Sequence, residues 1–106
     1  MKNFDAVATH AKGVTVLKLY LDCEFSQLSP AAKLISLALL AENGNEFYVE
    51  LLDTWSTEDC SNFVIEIVLP QLWHGSYAMP VLAARDALLA FFESFTETLE
   101  IVTNAP

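Results

Sequence analysis

The sequence contains few basic residues. Five lysines and arginines stand against fourteen aspartates and glutamates, which gives a net charge of −9. Nucleic-acid-binding modules use lysine and arginine to contact phosphates, so the composition disfavours a generic DNA-binding domain. It does not exclude a metal-dependent nuclease, because bound divalent ions supply local positive charge.

Other absences narrow the class of protein. The longest apolar run, at 37–41, is far too short to span a bilayer, and the N-terminus lacks the apolar core of a signal peptide. We therefore expect a cytoplasmic protein without membrane association. The three glycines form no glycine-rich phosphate loop. Cys23 and Cys60 lack metal-ligand spacing, and Cys23 is expected to be a buried, reduced thiol.

The 106 residues suffice for one domain. Residues 1–12 are polar and small without a clear period, so we interpret them as a loose leader before a domain at 13–106. Hydrophobic residues make up 54% of the chain. This surplus indicates apolar surface that is covered by a partner chain or by sequence missing from this chain, and we expect a homo-oligomer.

The most informative stretch is 14–25, VTVLKLYLDCEF, which is rich in β-branched and apolar residues. In a strand, alternate side chains share a face. One face is then almost wholly apolar, whereas Asp22 and Glu24 lie together on the other, roughly 7 Å apart along the strand. Two carboxylates this close repel each other unless a cation lies between them, and a hard divalent ion is the natural occupant. Alternatively, both are solvated at an exposed strand end.

The rest of the chain predicts two further strands, two helices and a last strand. Asn43 and Gly44 separate apolar segments at 33–42 and 45–52, which predicts a hairpin with a type I′ turn. Ser56 and Asp59 resemble a capping box for a helix at 56–69 with a buried stripe. A second helix is predicted at 80–95, opened by proline. A short strand at 99–103 is expected to pair parallel to the first strand. The predicted buried stripe of the first helix is Cys60, Phe63, Val64, Ile67 and Val68.

An antiparallel three-stranded meander, two helices and a fourth strand parallel to the first correspond to the opening half of a ribonuclease-H-like α/β fold. Three segments also resemble the bacterial 3′-5′ exoribonuclease family of the DEDD superfamily: YLDCEF at 20–25, LISLALLAENGNEFYVEL at 34–51 and FVIEIVLPQL at 63–72. The resemblance covers nearly the whole chain from residue 20.

The resemblance implies removal of nucleotides from the 3′ ends of single-stranded RNA with Mg²⁺ or Mn²⁺ as cofactor. Asp22 and Glu24 match its first acidic motif, which holds two metal ions and makes both residues catalytic. A pair of metals can activate a water and stabilise the leaving oxygen of a phosphodiester. Phe25 is a candidate for stacking on a terminal base.

The family also needs two further acidic motifs and a general base beyond the fourth strand. The second motif should begin near residues 104–106, so we expect the domain to be incomplete at its C-terminus and weak or inactive by itself. Asp53, Asp59 and Asp86 are poor substitutes, because the first follows a strand and the others are expected to be solvated.

Several other residues are given structural interpretations. His74 is interpreted as an ordinary loop residue, and Trp55 and Trp73 as partial core instead of base-stacking platforms. Arg85 and Asp86 are adjacent and do not face each other on a helix, so we expect no ion pair between them. The alternative to an exoribonuclease is a non-catalytic dimerising or protein-binding domain, which the acidic surface, apolar surplus and absent motifs favour.

Overall fold

A computed structural model describes residues 15–103 as an α/β fold built on a mixed five-stranded sheet. The expected leader at 1–12 lies outside the described residues. The sheet has the order β4-β3-β2-β1-β5, so β1 is the second strand from one end. In chain order the elements are β1 (Val16–Phe25), β2 (Leu34–Ala41), β3 (Glu46–Leu51), β4 (Ala78–Met79), α1 (Val81–Glu93) and β5 (Thr98–Thr103).

The predicted antiparallel meander of β1, β2 and β3 is confirmed. The hairpin between β2 and β3 forms at the expected place, but its turn type differs from the prediction. A type I′ turn needs positive φ at both central residues, and within residues 15–103 only Gly44 of the pair has one, at 94°. Asn43 instead accepts a hydrogen bond from the Asn45 backbone N–H through its side-chain oxygen, at 3.1 Å.

The last strand also follows the prediction, because β5 pairs parallel to β1 from Val16 opposite Thr98 to Leu21 opposite Thr103. β4 was not predicted, and its two residues lie in a stretch expected to be loop. It pairs parallel to β3. Two residues are too few to show the alternation by which a strand is identified in a sequence.

The predicted helix at 56–69 is wrong at its start and in its geometry. Asp59 does accept a hydrogen bond from the Ser56 backbone N–H, at 2.8 Å, but it closes only the short 3₁₀ turn Thr57–Asp59. A separate helical segment, 62–71, contains the π-helix Val64–Val68 and a closing 3₁₀ turn. We call residues 62–71 the irregular helix.

The irregular helix exposes side chains that a regular one was expected to bury. Val64 and Val68 are buried against Ile35 of β2, whereas Phe63 is 65% exposed and Ile67 47% exposed. A π-helix makes i→i+5 hydrogen bonds and has a wider turn than the 3.6-residue period assumed for the stripe. Two apolar side chains therefore reach the surface near the end of β1.

The main core lies between the sheet and α1, where Leu19 and Leu99 are fully buried. α1 begins after Pro80, and Asp53 Oδ1 accepts a hydrogen bond from the Val81 backbone N–H at 2.9 Å. No helix within residues 15–103 is long and apolar enough to cross a membrane. The buried residues of this core are Leu17, Leu19, Leu39, Ala41, Phe92, Phe95 and Leu99.

Candidate functional site

Asp22 and Glu24 lie on the face of β1 that points away from α1. The alternation expected for β1 is confirmed, since Leu17 and Leu19 are buried while both carboxylates are exposed. Asp22 lies opposite Ala38 and Glu24 opposite Ser36 in the neighbouring strand β2. The small neighbours leave open space beside the two carboxylates.

The two carboxylates line one cavity of about 290 Å³ between the sheet and the irregular helix. Its floor includes Ser36 and Tyr48, and its side is formed by Phe63, Ile67 and other residues of the irregular helix. The π-helical geometry thus brings apolar side chains beside an acidic pair. Such a cavity combines charge with a surface that a flat ring can contact. The full lining is Asp22, Glu24, Ser36, Ala38, Tyr48, Phe63, Ile67, Val68, Gln71 and Leu72.

The acidic pair is electrostatically uncompensated by the described residues. Within residues 15–103 neither Asp22 nor Glu24 has an ion pair or a hydrogen bond to a donor side chain. Burial, with the charge of Asp22 as the second cause, raises the pKa of Glu24 above its ordinary value. A cation between the two carboxylates would remove this repulsion.

Cys23, between the two carboxylates in sequence, is a free thiol and is half-buried where we expected full burial. Burial raises the pKa of the Cys23 thiol, and the charges of Asp22 and Glu24 raise it further. The thiol therefore senses the charge of the acidic pair, although strand alternation directs it to the other face.

A third carboxylate, Glu50, lies on the same side of the sheet but has a different role. Glu50 is 3% exposed. It lies opposite Ser36 of β2, which in turn lies opposite Glu24 of β1, so Glu50 is two strands away from Glu24. The Tyr48 hydroxyl donates to Glu50 at 2.6 Å, and the backbone N–H groups of Trp73 and His74 donate at 2.6 and 2.9 Å. Burial by itself would raise the pKa of Glu50, but these hydrogen bonds lower it. Glu50 is thus an anchor for the 73–74 backbone.

The donor set fits a hard divalent ion only in part. Carboxylate oxygens are the ligands that Mg²⁺ and Mn²⁺ prefer, and Asp22 and Glu24 supply them together. Within residues 15–103, however, no group of three or more histidine, cysteine, aspartate or glutamate side chains is arranged to hold a metal. The described residues therefore supply two carboxylates for a cation and no third ligand of these types.

The other three aspartates have partners, although Asp59 and Asp86 were expected to be solvated. Asp53 caps α1 at Val81. Asp59 is bonded to Ser56 and, at 3.1 Å, to Lys33, so it is ion-paired instead of simply solvated. Asp86 forms an exposed ion pair with Arg85 at 3.2 Å, which contradicts the prediction that these neighbours would not pair.

Phe25, the third residue that the sequence predicted for the site, shares a cavity with Glu24. Its residue is 46% exposed, and it lines a second cavity of about 350 Å³ together with Glu24, Phe63 and Leu28. The structure places it beside the acidic pair, and its stacking role stays a prediction.

His74 lies in the loop before β4 as expected, with a positive φ of 56°.

Trp73 contradicts its interpretation as partial core, because it is 67% exposed. Trp55 is half-buried and donates its ring N–H to the Leu51 carbonyl at 2.8 Å, as a core residue would. The ring of Trp73 contacts Tyr48 and Tyr77, with centroid distances of 5.3 and 5.1 Å. Sequence reasoning missed this cluster because Tyr48 comes from β3, far from the other two rings in the chain.

Comparison with known proteins leaves the family open. No protein-family model matches the chain, and no curated protein matches it in sequence. The exoribonuclease resemblance therefore depends on the motifs quoted above.

Proposed function

We propose that the chain carries the first acidic motif of a ribonuclease-H-like 3′-5′ exoribonuclease domain that acts on single-stranded RNA with Mg²⁺ or Mn²⁺. The observation that supports this most is the shared cavity of Asp22 and Glu24 on β1. Both carboxylates are exposed there, and no described residue neutralises either of them.

The topology is compatible with this assignment. A meander of β1, β2 and β3 is followed by helical segments and by a strand, β5, that returns parallel beside β1. This order is compatible with the opening half of a ribonuclease-H-like fold, with the short strand β4 as an addition beside β3. Catalytic carboxylates on β1 would lie on a strand that is paired on both sides, with β2 and β5, and this pairing restricts the movement of its backbone.

The residues of the cavity have distinct tasks in this proposal. Asp22 and Glu24 provide the oxygen ligands for divalent ions, which when bound activate a water and stabilise the leaving oxygen. Phe25 and Phe63 flank Glu24 and offer ring faces to the terminal nucleotide. The Ser36 hydroxyl is within the same cavity and can bond to a phosphate oxygen or a metal-bound water.

Metal binding by the chain is expected to be weak, because tight sites for these ions use more carboxylates than two. We expect calorimetric titration with MnCl₂ to show a dissociation constant well above micromolar, and the signal to disappear in Asp22→Asn. Asp86→Asn is the matched control, since it removes an aspartate charge on α1. Micromolar affinity that survives Asp22→Asn would overturn the assignment of the acidic pair.

The RNA part of the proposal needs its own measurement. We expect Mn²⁺ to increase the affinity for a fluorescent single-stranded RNA with a free 3′ hydroxyl, measured by anisotropy. The increase should be lost in Glu24→Gln and kept in Asp86→Asn. An affinity that Mn²⁺ leaves unchanged would contradict an exoribonuclease, even if the metal itself binds at Asp22.

A second candidate function is a non-catalytic protein-binding or dimerising domain. It is favoured by the absence, within residues 15–103, of a third carboxylate or histidine positioned to complete the metal centre. The two candidates differ in what they require of Asp22 and Glu24. A binding domain would keep its function when both residues are replaced, and that function would not need a divalent ion.

A further inference from the structure

A groove of about 580 Å³ lies on the sheet next to the acidic cavity and shares Asp22 and Tyr48 with it, but no step proposed above uses its other residues. It extends from the Tyr20 and Leu40 pair to the ring of Trp73. Its volume is within the range of roughly 300–1,000 Å³ that is typical of ligand sites. We call it the acidic aromatic groove, and the side chains that characterise it are Tyr20, Asp22, Leu40, Glu46, Tyr48 and Trp73.

The sheet register explains why these side chains lie together. Tyr20 lies opposite Leu40, which in turn lies opposite Glu46 of β3. One step along the sheet, Asp22 is aligned through Ala38 with Tyr48. Two rows of side chains thus alternate ring, aliphatic and carboxylate groups on one face, and the small Ala38 deepens the space between them.

The aromatic end of the groove is held in place by its neighbours. Trp73 and Tyr77 meet edge to face, and Tyr48 contacts both rings, at 5.3 Å from Trp73 and 5.6 Å from Tyr77. The backbone N–H of Trp73 is bound to the buried carboxylate of Glu50. An exposed indole on such a support is already positioned for a ligand and loses little conformational freedom on binding.

The charge of the groove determines which ligand it can take. Asp22 and Glu46 are its charged side chains, and among residues 15–103 no lysine or arginine lines it. Lys18 lies two residues before Tyr20 on the same strand and is opposite Glu100 of β5. The faces of aromatic rings attract cations, and carboxylates at the rim add to that attraction.

We propose that the acidic aromatic groove binds a basic segment of a partner protein, with a lysine or arginine head against Trp73 and Tyr48 and within reach of Glu46. The aliphatic stem of such a side chain would lie along Leu40, which is 47% exposed. The carboxylates would pair with the positive charge in a site partly shielded from water, where such a pairing is stronger than on an open surface.

Other occupants fit the groove less well. A nucleic acid could stack a base on Trp73, but without a bound divalent ion its phosphates would face Asp22 and Glu46, and the described lining residues include no lysine or arginine to neutralise them. A second copy of the chain, with five basic residues against fourteen acidic ones, offers few lysine or arginine side chains to pair with Asp22 and Glu46. A basic segment is the occupant whose charge is complementary to the groove, to the acidic pair beside it and to the whole chain.

This inference does not depend on the exoribonuclease proposal, because the groove needs no metal. Asp22 and Tyr48 line both sites, so the test uses Glu46 and Trp73, which are outside the cavity that holds Glu24. The probe is a fluorescein-labelled peptide of alternating lysine and serine, titrated with the whole chain in EDTA and followed by anisotropy. We expect saturable binding, about tenfold weaker in Trp73→Ala and weakened by a smaller factor in Glu46→Gln.

Glu93→Gln is the matched control for charge, because it removes one exposed carboxylate from α1 on the opposite side of the sheet. It should leave the affinity almost unchanged. Trp73→Phe keeps an aromatic face and should retain most of the binding, which separates loss of the ring face from loss of folding. Circular dichroism of each variant should match the wild type.

Three results would overturn the inference. Equal weakening by Glu46→Gln and Glu93→Gln would show attraction to net charge alone. Trp73-dependent binding of single-stranded RNA in EDTA, stronger than that of the peptide, would show that the groove takes nucleobases. Conversion of an oligomer to a monomer by Trp73→Ala in light scattering would show that a second copy occupies it.

Discussion

The backbone N–H of Trp73 donates a 2.6 Å hydrogen bond to the Glu50 carboxylate, 23 residues earlier in the chain. A buried charge on β3 thereby sets the position of an exposed indole. The same carboxylate oxygen accepts a hydrogen bond from the Tyr48 hydroxyl, also at 2.6 Å. One side chain therefore joins the sheet to the loop that forms the aromatic end of the groove.

We expect Glu50→Gln to destabilise the fold by about 2 kcal/mol, because an amide replaces charge-assisted hydrogen bonds and places donor hydrogens where Tyr48 and Trp73 already donate. Urea unfolding followed by circular dichroism at neutral pH measures the change. Glu66→Gln, at an exposed position of the irregular helix, is the control and should shift stability by less than about 0.5 kcal/mol.

The contribution of Glu50 to stability should depend on pH. Its hydrogen bonds lower its pKa below the ordinary 4.5, so its stabilisation is complete above that value and is lost as the pH falls through the folded-state pKa. The gap in unfolding free energy between wild type and Glu50→Gln should accordingly shrink below pH 4.5. A constant gap across the acid range would contradict this assignment.

The rate at which the Cys23 thiol is alkylated should depend on the charge of Asp22 and Glu24. Burial raises the pKa of its thiol, and the charges of Asp22 and Glu24 raise it further. Neutralising those charges should lower that pKa and increase the thiolate fraction, which is the reactive form. We expect saturating Mg²⁺, or Asp22→Asn, to accelerate alkylation of Cys23 by iodoacetamide at pH 8.

Peptide mass spectrometry measures each cysteine separately in this experiment. Cys60 is the internal control, because the charge that raises its pKa comes from Asp59 and not from the acidic pair. A Mg²⁺ effect of equal size at both cysteines would indicate general screening of charge and would argue against metal at Asp22 and Glu24.

Catalysis by the chain is expected to be very slow or undetectable, because the described residues provide only two carboxylates of a centre that needs more. The assay follows a labelled single-stranded RNA oligonucleotide on a denaturing gel with Mn²⁺ present. Rapid stepwise shortening from the 3′ end that Glu24→Ala abolishes would contradict this expectation, and it would show that the centre is functional.

Self-association is expected at the β5 edge. β5 is the last strand in the sheet order of the described residues, and unpaired strand edges favour pairing with another chain. Repulsion at a net charge of −9 is screened at physiological salt. Edge pairing would also leave the acidic aromatic groove open. We therefore expect a dimer at micromolar concentration.

Size exclusion with light scattering tests this expectation. Val102→Lys places a charge on the edge strand and should shift the population toward monomer, whereas Leu82→Lys, at an exposed position of α1, should not. A wild-type monomer near 11.7 kDa over a wide concentration range would refute the dimer.

The features that the sequence predicted well depend on local periodicity. The alternation of β1 placed Asp22 and Glu24 on one face, Asn43 and Gly44 marked the hairpin, and Pro80 marked the start of α1. Each is a property of neighbouring residues. The prediction of a regular helix at 56–69 was wrong because the irregular helix contains a π-helical turn. The i→i+5 backbone hydrogen bonds of that turn are not visible in a side-chain pattern with a period of 3.6 residues.

The sequence alone therefore determined the meander of β1 to β3, the parallel return of β5, the two faces of β1 and the excess of negative charge. Tertiary structure alone decided that β4 extends the sheet, that Phe63 and Ile67 border the acidic cavity, that Glu50 anchors the 73–74 backbone, and that Trp73 is exposed. These outcomes depend on contacts between residues that are distant in the chain. Such contacts form when strands come into register and loops close over them, and no local pattern of residue types encodes them.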